Sequence, residues 1–169
     1  MEQKWLENAK VGNLNDMKEI FQRLRNIGLL QEVKNFKDSD DATALFTHGD
    51  TTENEHLDIC QFLVRGDLVD VNSRNVIGCN ALHWAAINNQ PEIAKWLLEE
   101  TNIDLNAQNN DGVTALHSAA SWNKLEVTRI LLQYKPRLLK DEENCTALDY
   151  ASMLKDEEII QLLQTHYNM

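Results

Sequence analysis

The chain repeats itself. The segment from Gly78 to Ala86, Gly-Cys-Asn-Ala-Leu-His-Trp-Ala-Ala, recurs as Gly-Val-Thr-Ala-Leu-His-Ser-Ala-Ala from Gly112 to Ala120. It recurs again as Asn-Cys-Thr-Ala-Leu-Asp-Tyr-Ala-Ser from Asn144 to Ser152. The anchor residues Leu82, Leu116 and Leu148 are 34 and 32 residues apart. A weaker copy around Thr43, Leu45 and Phe46 lies 37 residues upstream of the first. Each copy is followed by a polar break and then an apolar run: Leu57–Val64, Ile93–Leu98, Val127–Leu132 and Ile159–Leu163. A unit of this length cannot bury its apolar face alone. A fixed period near 33 therefore restricts the chain to a stack in which each unit covers its neighbour.

The local chemistry is that of short helices. Asn80, Thr114, Thr146 and Thr43 each precede a helical stretch, and their side-chain oxygens can accept from the free N–H groups of a helix start. His83, His117 and Asp149 stand three residues later, where a polar group can reach back to the cap. The small pairs Ala85-Ala86, Ala119-Ala120 and Ala151-Ser152 let helices approach closely. The apolar runs supply the bulk behind them. Asp-x-Asn linkers follow two of the runs, at Asp70-Val-Asn72 and Asp104-Leu-Asn106.

A period near 33 with a Thr-x-Leu-His-x-Ala signature resembles the ankyrin repeat. The match is nearly complete at Asn80–Ala86 and Thr114–Ala120 and extends over almost the whole chain. The resemblance implies an all-α fold: an ankyrin-repeat solenoid of stacked helix-turn-helix units with β-turn linkers, about four repeats plus an N-terminal helical cap. Residues 1–169 form a single array on this basis. They divide into a cap (1–30), a degenerate repeat with an insert (41–74), two full repeats (78–108 and 112–140) and a C-terminal capping repeat (144–169). The stripe Met17, Ile20, Phe21, Leu24 and Ile27 suits a cap helix, and Asp156-Glu157-Glu158 opens the last helix favourably for its dipole.

Three departures stand out. In the upstream copy Phe46 replaces the histidine, and the polar stretch Gly49–Glu55 is expected to project as a loop. The last linker, Lys135–Lys140, lacks the aspartate and asparagine, so its turn should have a different tip. Trp96 and Trp5 should be core.

The family binds partner proteins through its turn tips and the exposed side of each first helix. By position, this nominates Cys79 and Val113 at tips, beside Cys145. It nominates Trp84, Ser118 and Tyr150 at the first exposed helical position. It nominates Ile87, Asn88, Ser121 and Trp122 one turn on, with Met153 and Leu154 after them. Aromatic residues of this kind are enriched in binding hot spots. His83 and His117 are expected to be structural, bonded to the turn and the cap. Asn72 and Asn106 match the asparagines that asparaginyl hydroxylases modify in this family, although a turn-forming role is the simpler expectation.

Composition narrows the function. The net charge is −11, from 27 acidic and 16 basic side chains. Such a surface repels phosphate, so neither nucleic acid nor an anionic membrane is expected as partner. A partner protein with a basic surface is. Cys60, Cys79 and Cys145 are too few and too widely spaced for a disulfide framework or a zinc site, which suggests a reducing intracellular setting, cytoplasmic or nuclear. No apolar run approaches membrane-spanning length. No phosphate loop, nucleophile elbow or paired Cys-x-x-Cys occurs. His48, Asp50, Glu53, Glu55 and His56 lack the rigid spacing of metal ligands, and no cofactor is expected. The expectation is a monomeric, non-catalytic adaptor or regulatory binder. The alternatives are a targeting module from a larger protein or a hydroxylase substrate.

Overall fold

The computed structural model describes residues 53–66 and 69–168, with side chains from 57, together with positions 15, 16, 18, 19, 21 and 22. Seven helices are delimited among them, and none of the described residues is in a strand. They are α1 (Glu53–Arg65), α2 (Ala81–Ile87), α3 (Pro91–Glu100), α4 (Ala115–Ser121), α5 (Leu125–Gln133), α6 (Ala147–Leu154) and α7 (Glu157–Tyr167). By contacts the chain divides after Val76 into two units. The cap at 1–30 and the copy at Thr43 lie mostly outside the described residues.

In the first unit the positions described between 15 and 22 are helical. Phe21 meets Phe62 of α1 edge-on, with ring centroids 5.5 Å apart. Ile59, Cys60 and Leu63 form the buried side of α1. The projecting loop expected up to Glu55 is corrected at its end, because α1 already begins at Glu53. Glu53 and Glu55 fall in its first turn, where acidic groups complement the positive end of the helix dipole.

The second unit holds three consecutive helix pairs. The first helices α2, α4 and α6 pack side by side, and the second helices α3, α5 and α7 form the layer behind them. The first helices begin as expected. Asn80 Oδ1 accepts from the Leu82 and His83 N–H groups, and Thr114 and Thr146 accept from N–H groups of His117 and Asp149, each in a reciprocal capping box. Ala85, Ala86, Ala119 and Ala120 are buried between neighbouring helices, and Leu82, Leu97, Val127, Leu131, Ile159 and Leu163 fill the core. Trp96 is buried as expected, and its indole N–H has no hydrogen-bond partner. Between the helices of each pair the backbone turns through the left-handed region at Asn89, Asn123 and Lys155. Asparagine tolerates that region better than lysine does.

Candidate partner-binding face

Each first helix is preceded by a tight turn, here called a finger. In the finger at 109–113, Asn109 N–H donates to Val113 O (2.9 Å), and the Asn109 side chain accepts from Asp111 and Val113 N–H. The finger at 141–145 is built identically. Asp141 N–H donates to Cys145 O (3.0 Å), and Asp141 Oδ1 accepts from Glu143 and Cys145 N–H. The different tip expected here is therefore not found. A carboxylate oxygen at Asp141 does the work of the amide oxygen at Asn109.

The fingers are tied to each other and to the helices. Asn110 N–H donates to Ile77 O, and Glu142 N–H to Asp111 O, both at 3.0 Å. His83 Nε2 bonds Val113 O at 2.9 Å and His117 Nε2 bonds Cys145 O at 3.1 Å, each across to the next finger. The other ring nitrogen of each histidine receives the N–H of the cap residue, Asn80 or Thr114. Both histidines thus occupy the structural role assigned to them. Burial pushes the His117 pKa below its usual value, against the Cys145 carbonyl and the Asp141 charge, so the ring is neutral at pH 7. Its Nε2–H then donates to Cys145, while Nδ1 accepts from Thr114 N–H.

Gly78 and Gly112 sit at the finger tips with φ near +78° and +77°. The next finger leaves no room for a side chain. A Cβ on Gly112 would stand 2.9 Å from Asp141 Cα and 3.0 Å from Glu142 N. The equivalent residue of the last finger, Asn144, shares the conformation at φ 62°.

Asp141 is a structural residue that the sequence did not single out. Its second oxygen accepts from the Tyr150 hydroxyl at 2.6 Å. Burial pushes its pKa up, but the Tyr150 hydroxyl and the Cys145 and Glu143 amides outweigh this and hold it below the usual carboxylate value. The same bond, followed by burial, drives the Tyr150 phenol up to about 12. Tyr150 also stands edge-on to His117 with centroids 6.0 Å apart. One tyrosine thus joins α6, the finger before it and the preceding repeat. The only signal in the sequence was register: Asp141 aligns with Asn109.

The nominated residues fall into three groups. Trp122 is 60 % exposed at the end of α4, and Met153 and Leu154 at the end of α6 are 66 % and 53 % exposed. Trp84, Ile87, Asn88, Val113, Ser121 and Tyr150 are half-buried. The Asn88 amide donates to Trp84 O and the Ser121 hydroxyl to Ser118 O, so both close their own helix ends. The exposure expected of Cys79 and Ser118 is corrected, because they are only 4 % and 5 % exposed. The Asn109 side chain of the next finger reaches the Cys79 sulfur at 3.8 Å. Ser118 is small and occupies the same motif position as Trp84 and Tyr150. Cys145 is half-exposed, and burial and nearby carboxylates raise its pKa, which suits an unreactive thiol.

Asn106 is corrected in detail. Its backbone N–H donates to Asp104 Oδ1, while its side-chain Oδ1 accepts from Arg137 N–H of the next linker at 2.7 Å. The asparagine ties one repeat to the next rather than bonding its own turn. The Asn72 backbone N–H likewise donates to Asp70 Oδ1.

The model for ankyrin repeats in three copies matches residues 9–109 and 101–169. The chain belongs to the ankyrin-repeat family. Ankyrin repeats are in general protein–protein interaction modules. A search of curated proteins gave no match. Among the described residues no helix is long and apolar enough to cross a membrane. No cluster of three or more His, Cys, Asp or Glu among them could hold a metal ion. The side chains of His48, Asp50, Glu53, Glu55 and His56 lie outside the described set.

Proposed function

We propose that this ankyrin-repeat chain is a regulatory binder that occupies a partner protein through the ends of its first helices and the finger row beside them. The observation that carries this reading is the exposure of Trp122 with Met153 and Leu154 on adjacent helices of one layer. Together they offer apolar surface on the order of 300–400 Å², comparable to the largest patch on an ordinary monomer. Such a patch costs solubility and is retained where it is covered in use. Trp122 is the anchor, Met153 and Leu154 extend it, and the half-buried Trp84, Ile87, Asn88, Val113, Ser121 and Tyr150 shape its surroundings. Binding on a rigid framework needs no turnover, and steric blockade of an enzyme is the simplest regulatory use of it.

The test is affinity capture from cells of the source organism with wild-type chain and a Trp122→Ala, Met153→Ser variant, both checked by circular dichroism. A protein retained by the wild type and lost with the folded variant supports the reading. Equal capture by both removes the site from this face.

A further inference from the structure

We infer that the segment seated on this face is a cationic amphipathic stretch of a partner protein, running across the repeats with its Lys and Arg side chains toward the fingers and its apolar anchors on the helix ends. This rests on the proposed binding face and adds the chemistry of its occupant.

The charge distribution across the face carries the inference. Its finger edge bears Asp111, Glu142 and Glu143, all exposed. The backbone bond from Glu142 N–H to Asp111 O brings these acids onto touching turns. The bonds from Asn109, Asp141 and the two histidines hold the turns in place. A cationic side chain laid across neighbouring turns that carry acids is attracted to all of them. Within the second unit the lysines flanking the apolar patch, Lys124 and Lys155, stand at the opposite ends of the first helices. Lys140, beside Asp141, draws on Asp149 and Cys145. The face is therefore acidic at the fingers and apolar at the helix ends, and beyond those ends Lys124 and Lys155 stand next to the acids Glu126 and Asp156, Glu157 and Glu158 in the chain.

This polarity selects among occupants. A phosphate backbone would meet the acidic edge first. A second copy would bring a net charge of −11 against −11. A cationic segment has neither problem. Packed helices stand roughly 8–10 Å apart, so Trp122 and the Met153–Leu154 pair ask for anchors at that separation. A polyproline-II stretch, with three residues per turn and about 3.1 Å rise per residue, meets it with anchors three residues apart on one side. A helix rising about 1.5 Å per residue meets it with anchors seven apart. The finger acids lie about 12 Å from the anchors, the length of the first helix at the same rise, so the cations belong on the other flank of the segment.

The test is selection of a phage-displayed library of random 16-residue peptides on the full chain, followed by fluorescence anisotropy with the enriched peptides. Expected are peptides carrying Lys or Arg beside apolar anchors spaced by three or seven. Trp122→Ala should weaken them at least tenfold. The triple variant Asp111→Asn, Glu142→Gln, Glu143→Gln should weaken them about tenfold and flatten the salt dependence. Neutral or acidic peptides that need Trp122 but ignore the triple variant overturn the cationic occupant and leave the binding face standing. Peptides insensitive to Trp122→Ala overturn both. No enrichment over the triple-variant control overturns the cationic occupant, as does a dimer in sedimentation that Trp122→Ala abolishes.

Discussion

Replacing Gly112 with alanine tests the tightness of the finger row directly. The backbone at Gly112 has φ +77°, a region that costs a non-glycine residue about 1–2 kcal/mol. Alanine recovers about 0.4–1 kcal/mol of that by restricting the unfolded chain. The remaining cost is steric. The new Cβ meets Asp141 Cα at 2.9 Å, Glu142 N at 3.0 Å and Asp141 C at 3.1 Å. All three are backbone atoms, so no side chain can swing away, and relief requires moving the whole 141–145 finger by a few tenths of an ångström. Overpacking of this kind costs about 1–3 kcal/mol. The sum is a loss of about 2–4 kcal/mol, a large share of an ordinary domain's stability. Urea unfolding followed by helical circular dichroism measures it. Asn144→Ala is the internal control. Asn144 has the same turn conformation, and none of the described residues stacks a further finger on it, so its cost should stay near 1 kcal/mol or below. A Gly112→Ala loss no larger than that of Asn144→Ala would refute the account of finger packing.

The remaining predictions concern the histidine ladder, acid and the left-handed turns. His117→Ala removes a buried ring that serves two repeats and strands Cys145 O and Thr114 N–H; it should cost about 2–4 kcal/mol in urea titration, against about 1 kcal/mol for Asp149→Ala, which loses only a cap. Because the pKa of His117 is depressed by burial, its contribution is complete above the unfolded value of 6.5 and is lost as pH falls toward the lower folded value. Asp149, held down by Thr146, and Asp141 act in the same direction below 3.8. Thermal melts should therefore show a first drop in stability below pH 6.5 that is absent in His117→Gln, and a second below pH 4 that remains. At the alkaline end Tyr150 should resist ionisation up to about 12, read as the 295 nm absorbance step missing from Tyr150→Phe. Lys155→Gly, at φ 58°, should raise stability by about 0.5–1 kcal/mol, since the left-handed cost exceeds the entropy lost to glycine.

How far the sequence could be read followed from which contacts are local. The capping boxes at Asn80, Thr114 and Thr146 act over three residues, so the starts of the first helices in the second unit were legible. The histidines were legible because the same register recurs. The fate of Cys79 and Ser118 depends on what the adjacent repeat places over them, a side chain some 30 residues away, and position within the motif could not supply that. The finger at Asp141 was misjudged by its linker residues when its shape depends on a single acceptor oxygen. Asn106 was misjudged for the opposite reason, since a local turn was assumed where the partner is the next linker. Trp122 and Trp84 share the first-helix layer but not the same register, and that difference separates the exposed indole from the half-buried one.

The repeat at 144–169 differs from the two before it at three motif positions that those two share. Asp149 stands where histidine reaches forward, Ser152 where alanine is buried, and Asn144 where a glycine makes room. Asp149 and Ser152 are exposed, and Asp149 is hydrogen-bonded back to Thr146. A translational stack has an intrinsic hazard: whatever fits its end fits again on the next copy, and head-to-tail contacts that do not close grow into fibres. An incoming copy at this end would find a carboxylate in place of the imidazole donor and a hydroxyl to desolvate. Those side chains thereby work against head-to-tail growth through this face.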